Sequence, residues 1–284
     1  MIEVTGGRVW YQRMGEGDRI PLLVLHGGPG FTHEYVRSLG DLSPERPVVF
    51  YDQLGCGRSE RPPDLSLWTV ERSVEELAQV RRTLHLDEVH LLGQSWGTML
   101  ASQYLLGRTE GVRSVIMASP CISSPRWAAD AARLLGGLDA ATRDVIAHHE
   151  ASGFTSCPEY QAAILAYYRR HVCRLDPWPE EVERSFAGAG MDVYETMWGP
   201  SEWAVTGRLH DFDTSGRLGE IHLPALFTCG RHDEATPETV EYYRSRMPGA
   251  RLVVFEESAH MAHLEERGRY NRVVADFMNE VEAG

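Results

Sequence analysis

A mostly parallel α/β sheet with flanking helices, split by a helical insert, is the architecture this 284-residue sequence predicts. Three observations predict it. Short apolar runs at Leu22–Leu25, Val48–Tyr51, Val89–Leu92 and Val112–Met117 alternate with helix-like stretches, and strands alternating with helices pair in parallel. That alternation stops between about Cys121 and Asp213, where helix-like polar and alanine-rich stretches replace it. It resumes at Leu223–Gly230 and Leu252–Phe255. Residues 1–120 and 214–284 therefore read as one core, and residues 121–213 as a helical cap.

Taken in order, the chain opens on a β-hairpin. The strand Leu22–Leu25 then runs into His26-Gly27-Gly28-Pro29-Gly30, and Val48–Tyr51 follows as the next strand. Glu71 to Leu84 reads as a helix with Val74, Leu77, Val80 and Leu84 on one face. Val89–Leu92 leads into Gly93-Gln94-Ser95-Trp96-Gly97, and Thr98–Leu106 is helix-like. In the insert, Ala128 to Leu135 and Tyr160 to Arg174 are the clearest helical stretches. The late strand Leu223–Gly230 is followed by Arg231-His232-Asp233-Glu234 and a helix start at Thr236-Pro237. After Leu252–Phe255 come the loop residues Ser258-Ala259-His260 and a helix-like segment from Met261 to Arg267.

Gly93–Gly97 is Gly-x-Ser-x-Gly in the setting that gives the motif meaning: strand, sharp turn, helix. Such a turn lifts the serine hydroxyl clear of the sheet, and its glycines avoid collisions with neighbouring strand and helix. A serine needs a base to take its proton, and in this arrangement the chain order is Ser, acid, His. Asp233 and His260 follow successive late strands, at the carboxyl edge where open α/β sheets bind ligands. Ser95 is thus the expected nucleophile, His260 the base and then acid, and Asp233 the group that orients the imidazole. His263 is the nearest rival base but falls inside a helix-like segment. Asp211 and Asp213 precede the late strand rather than following it. Negative charge developing on a carbonyl oxygen calls for two donors. The expected ones are the Trp96 N–H and the N–H of Gly28 in the loop after the early strand, with Gly27 as the alternative.

The motifs His26–Gly30, Tyr51-Asp52-Gln53-Leu54-Gly55-Cys56-Gly57-Arg58-Ser59 and Gly93–Gly97 together resemble the proline iminopeptidases, serine aminopeptidases of the α/β-hydrolase fold. The likeness spans nearly the whole chain. Met197-Trp198-Gly199-Pro200-Ser201-Glu202-Trp203, Cys157–Tyr160 and Asp176–Glu180 are similar to the tricorn-interacting aminopeptidase branch. The departures are Leu54, where many members carry arginine, and Gln94, where many carry glycine. The resemblance implies that Glu202 and Glu234 bind the free amino group of the substrate. Paired carboxylates in a partly dry pocket suit that task through charge-assisted hydrogen bonds.

Composition narrows the field further. All 28 basic residues are arginine, so a phosphate-loop lysine, a kinase lysine, a pyridoxal Schiff base and a Ser-Lys dyad are excluded. A net charge of −13 argues against nucleic acid as a partner. The apolar runs are too short to span a bilayer. Met1–Gly6 lacks the regions of a signal peptide, and five cysteines without metal or redox spacing fit reduced thiols. A cytoplasmic enzyme needing no cofactor and no metal is expected, acting on short peptides or amino-acid amides, with a possible functional link to a larger protease. The expected reaction is release of an N-terminal proline or apolar residue through an acyl-enzyme. The alternative is an amidase or esterase using the same triad, and the intact Ser95, Asp233 and His260 speak against a non-catalytic relative. Trp127, Trp178, Trp198 and Trp203 lie in the insert, and some of them are expected to line the substrate pocket.

Overall fold

In the computed structural model, which describes residues 1–155 and 157–284, a short hairpin of β1 (Ile2–Val4) and β2 (Gly7–Val9) leads into a seven-stranded sheet. Its strands are β3 (Tyr11–Met14), β4 (Leu22–Leu25), β5 (Val48–Tyr51), β6 (Val89–Gln94), β7 (Val112–Ala118), β8 (Ala225–Gly230) and β9 (Arg251–Phe255). Their spatial order is β3-β5-β4-β6-β7-β8-β9, with β3 antiparallel to β5 and the other pairings parallel. From β4 the chain steps outward to β5 and then crosses back to β6 on the opposite side. This reversal opens a crevice at the carboxyl ends of β4 and β6, the place where such sheets take ligands. Leu25 pairs with Gly93, so the loop after β4 meets the turn after β6.

Strands β4, β5, β6 and β8 are buried at every position, because both faces of the sheet are covered. Leu23, Leu25, Leu91, Met117 and Phe227 pack with side chains of α1 (Val70–Thr83), α2 (Trp96–Leu105) and α8 (Pro237–Arg246). Leu22, Val24, Leu92, Ile116 and Leu226 face the other way, against the 3₁₀ segment His33–Leu42 and α10 (Arg267–Ala283). The helix expected from Glu71 is α1, whose first turn is capped by the Thr69 hydroxyl accepting the Arg72 N–H at 3.2 Å.

Between β7 and β8 run α3 (Ser124–Gly136), α4 (Ala140–Ser152), α5 (Pro158–His171), α6 (Glu180–Ala187) and α7 (Met191–Met197). Helix α4 escapes sequence periodicity because Ile146 is its single fully buried residue. Local chemistry bounds it instead: Asp139 accepts the Thr142 N–H, and Gly153 ends it at φ 69°. The Met261–Arg267 segment splits into α9 (Ala262–Glu265) and the start of α10. No helix among the described residues is long and apolar enough to cross a membrane.

Candidate active site

At the turn between β6 and α2, Ser95 stands at φ 54° and ψ −122°, and it is half-buried while residues 89–94 and 96–102 are buried. The flanking glycines are forced by close approach. A β-carbon on Gly97 would lie 2.1 Å from the Leu25 carbonyl oxygen, and one on Gly93 would lie 2.3 Å from that of Gly97. The Ser95 N–H donates to the Ala118 carbonyl at 3.0 Å, which ties the turn to β7.

Asp233 and His260 meet across the ends of β8 and β9, where Gly230 pairs with Phe255. His260 Nδ1 lies 2.8 Å from Asp233 Oδ1. The carboxylate can only accept, so Nδ1 carries the proton and Nε2 keeps its lone pair. Asp233 is 1 % exposed and is itself held by N–H groups, those of Ala235 at 2.8 Å and Gly230 at 3.3 Å. Trp127 packs edge-on against the His260 ring at 5.6 Å. The rivals lie elsewhere in chemistry. His263 Nε2 bonds the Tyr35 carbonyl at 3.0 Å, and burial lowers its pKa to about 4. Asp213 accepts the Ser215 N–H at a turn, and Asp211 is exposed.

Ser95, His260, Gly28, Glu202 and Glu234 border one cavity. Gly28 has φ 110°, and a side chain there would strike the Gly30 and Phe31 nitrogens. The two candidate donors of this loop differ: the Gly27 N–H is taken up by the Tyr35 hydroxyl at 2.6 Å, which leaves Gly28 as the better choice. The Trp96 N–H stands in the first turn of α2, where helix geometry provides no acceptor within the helix.

Glu202 and Glu234 both line the cavity, the first from the segment after α7 and the second from the loop after β8. Glu202 follows α7 and accepts the Tyr194 hydroxyl at 2.8 Å. Glu234 is buried beside Asp233, with Oε1 3.9 Å from His260 Nε2. Burial raises the Glu202 pKa. Burial, followed by the charges of Glu202 and Asp233, pushes Glu234 well above the usual carboxylate range. The two carboxyls thus resist ionising together unless a cation enters between them.

The apolar part of the cavity is lined by Phe31, Tyr35, Tyr168, Val182, Phe186 and Met261, none of which stood out in sequence. The expected tryptophans are not among its lining residues. Trp127 donates to the Glu202 carbonyl, Trp198 to that of Ser201 and Trp178 to that of Cys173. Trp203 donates to the Glu150 carboxylate. Two of them back cavity residues: Trp178 stacks on Phe186 at 5.6 Å, and Trp127 packs against His260. Leu54, one of the two departures from the family pattern, is buried in the core with Trp68 and Leu77 rather than in the cavity.

The sheet order, the strained serine turn and the paired Asp233 and His260 define an α/β hydrolase, and residues 20–267 match the model of that fold family. The nearer relatives are more specific. The chain is 49% identical over 282 residues to a proline iminopeptidase of Heyndrickxia coagulans, covering 99% of this chain and 98% of that one. It is 38% identical over 269 residues to a proline iminopeptidase of Saccharolobus solfataricus, covering 94% and 87%. The crystal structure of a Mycobacterium smegmatis proline iminopeptidase superposes with a TM-score of 0.92 at 36% identity, covering 99% and 98%. The chain belongs to the proline iminopeptidase family and is a serine hydrolase of the α/β fold.

Proposed function

We propose that this protein releases an N-terminal residue, proline or another apolar one, from short peptides or amino-acid amides through an acyl-enzyme. The observation that carries the reading is the pair Glu202 and Glu234, two carboxyls at one cavity with Ser95 and His260. In this mechanism His260 Nε2 takes the Ser95 proton as Oγ attacks the carbonyl carbon of the first residue. The N–H groups of Gly28 and Trp96 hold the oxyanion. Asp233 keeps the imidazole in the tautomer that can accept. His260 then returns the proton to the leaving amine, and water, deprotonated by the same ring, releases the first residue. Glu202 and Glu234 hold the substrate ammonium. A prolyl nitrogen bonded to two carbons still carries two N–H donors when charged, one for each carboxylate. Phe31, Tyr168, Val182 and Phe186 offer its ring an apolar seat.

Residues 121–213 act as a cap that supplies Glu202 and much of the apolar wall. The motifs at Met197–Trp203 and Asp176–Glu180 support the finer assignment to the tricorn-interacting branch, and with it a functional link to a larger protease. All five cysteines are free thiols, in keeping with a reducing cytoplasm. Turnover of prolyl- and other aminoacyl-arylamides, beside their N-acetylated forms and simple aryl esters, tests the reading. Equal cleavage of free and blocked peptides would replace it with a general amidase or esterase.

A further inference from the structure

Gln94 joins three parts of the site that are far apart in sequence. Its Oε1 accepts the Tyr35 hydroxyl, and that hydroxyl accepts the Gly27 N–H at 2.6 Å. Its Nε2 donates to the His260 carbonyl at 3.2 Å. The orientation of the amide is determined by its partners: a carbonyl oxygen can only accept, so the NH₂ end must face His260. Tyr35 is buried, and burial raises its pKa, so its hydroxyl stays a donor at physiological pH. Gly27 lies tightly against all three groups, since a β-carbon there would sit 2.7 Å from Tyr35 Oη, 2.9 Å from Gln94 Oε1 and 2.9 Å from Ser95 Cβ. Gln94 is 1 % exposed and adjoins the nucleophile.

We propose that Gln94 is a positioning residue that, through Tyr35, holds the Gly27–Gly28 loop and, directly, the His260 backbone in register with Ser95. The inference rests on Gly28 serving as an oxyanion donor and Ser95 as nucleophile. A substrate carbonyl entering the site meets a donor loop whose distance from the serine is set by one side chain. The group at position 94 thereby acts on the tetrahedral state, where oxyanion distance matters most, and little on capture of the ammonium.

Three variants test it. Gln94→Met keeps length without the hydrogen bonds, Tyr35→Phe removes the relay hydroxyl, and Gln94→Glu retains the acceptor toward Tyr35 but sets a carboxylate against the His260 carbonyl. Gln94→Met and Tyr35→Phe should each lower kcat on a prolyl-arylamide roughly tenfold with KM changed less than about twofold. The double variant should lose little more than the worse single one, because both act through one chain of bonds. For Gln94→Glu, activity relative to wild type should climb as pH falls, since the protonated carboxyl regains a donor for His260. A side chain that only fills space would give a flat ratio, and that result would overturn the inference, as would additive losses. Rates of Ser95 labelling by a serine-directed phosphonate separate the two levels. No labelling of wild type would sink the hydrolase mechanism itself, whereas equal rates in wild type and Gln94→Met would sink this inference alone. If Gln94→Met melts below assay temperature by circular dichroism, Tyr35→Phe and Gln94→Glu decide.

Discussion

At Ser95 a side chain occupies a backbone region that ordinarily costs about 1–3 kcal/mol, and the surrounding strand and helix must impose it. Alanine tolerates the same backbone as well as serine does, so Ser95→Ala should fold with unchanged circular dichroism. Turnover should drop roughly 10⁴- to 10⁶-fold, since the covalent route is lost. Activity within tenfold of wild type would refute the nucleophile assignment. The two neighbouring histidines offer a sharper contrast. His260→Ala should abolish activity, while His263→Ala, which removes a buried neutral ring bonded to a carbonyl, should keep most of it. Glu234 links function to stability. Its folded pKa is raised, so the folded state binds more protons than the unfolded chain between the ordinary glutamate pKa and the raised one. Stability attributable to this group is therefore present at low pH and declines as pH rises through that window. Glu234→Gln should gain thermal stability over wild type by a margin that widens with pH, about 2–4 °C for each kcal/mol. A margin that shrinks with rising pH would contradict the buried-carboxyl account.

Among elements, the contact between α2 and β4 decides whether the serine turn forms. Gly97 lies against the Leu25 carbonyl at the point where the His26–Gly30 loop begins. Gly97→Ala should be destabilised at or beyond the roughly 3 kcal/mol upper end of ordinary substitutions, read as the urea midpoint. Gly216, which has open space around it, is the control, and equal effects at the two positions would show that crowding at the turn is not the cause. The end of α5 matters for a different reason. The His171 carbonyl accepts the N–H groups of both Glu234 and His260 at 3.3 Å, and Glu265 accepts those of Arg174 and Ala259 at 2.7 Å. Backbone bonds from the insert thus reach both loops that carry Asp233 and His260.

For the molecule as a whole, the proposed ammonium site lies where insert and core meet, because Glu202 comes from one and Glu234 from the other. Replacing either with glutamine should lower kcat/KM on free-amine peptides roughly tenfold to a hundredfold, from about 1.5–3 kcal/mol per charge-assisted bond. The losses need not add, since both carboxyls contact one group. A neutral aryl ester has no ammonium and should be hydrolysed as well as before. N-acetylation should cost the wild type heavily and the double variant little. Ester and peptide activities falling in parallel would point to damage at the triad rather than at an ammonium site.

The sequence by itself determined the strand–helix alternation, the serine turn, and the placing of Asp233 and His260 after successive late strands. These are local patterns: buried runs, glycines at a tight turn and chain order along one sheet edge. Even the Gly27–Gly28 loop was legible, because a glycine cluster after a buried strand has few uses. Tertiary structure decided what no local pattern holds. It set Tyr35, in the 3₁₀ segment His33–Leu42, so that its hydroxyl occupies the Gly27 N–H and leaves Gly28 as the candidate donor. It left the tryptophans out of the cavity lining and put Phe31, Tyr168 and Phe186 there, since ring orientation depends on which neighbours cover which face. It turned Gln94, a side chain within the motif, into the bridge, through Tyr35, between the Gly27–Gly28 loop and the His260 loop. Chemistry carried by one residue type at one turn can be read from order along the chain. Distances between side chains from separate elements exist only once those elements are packed.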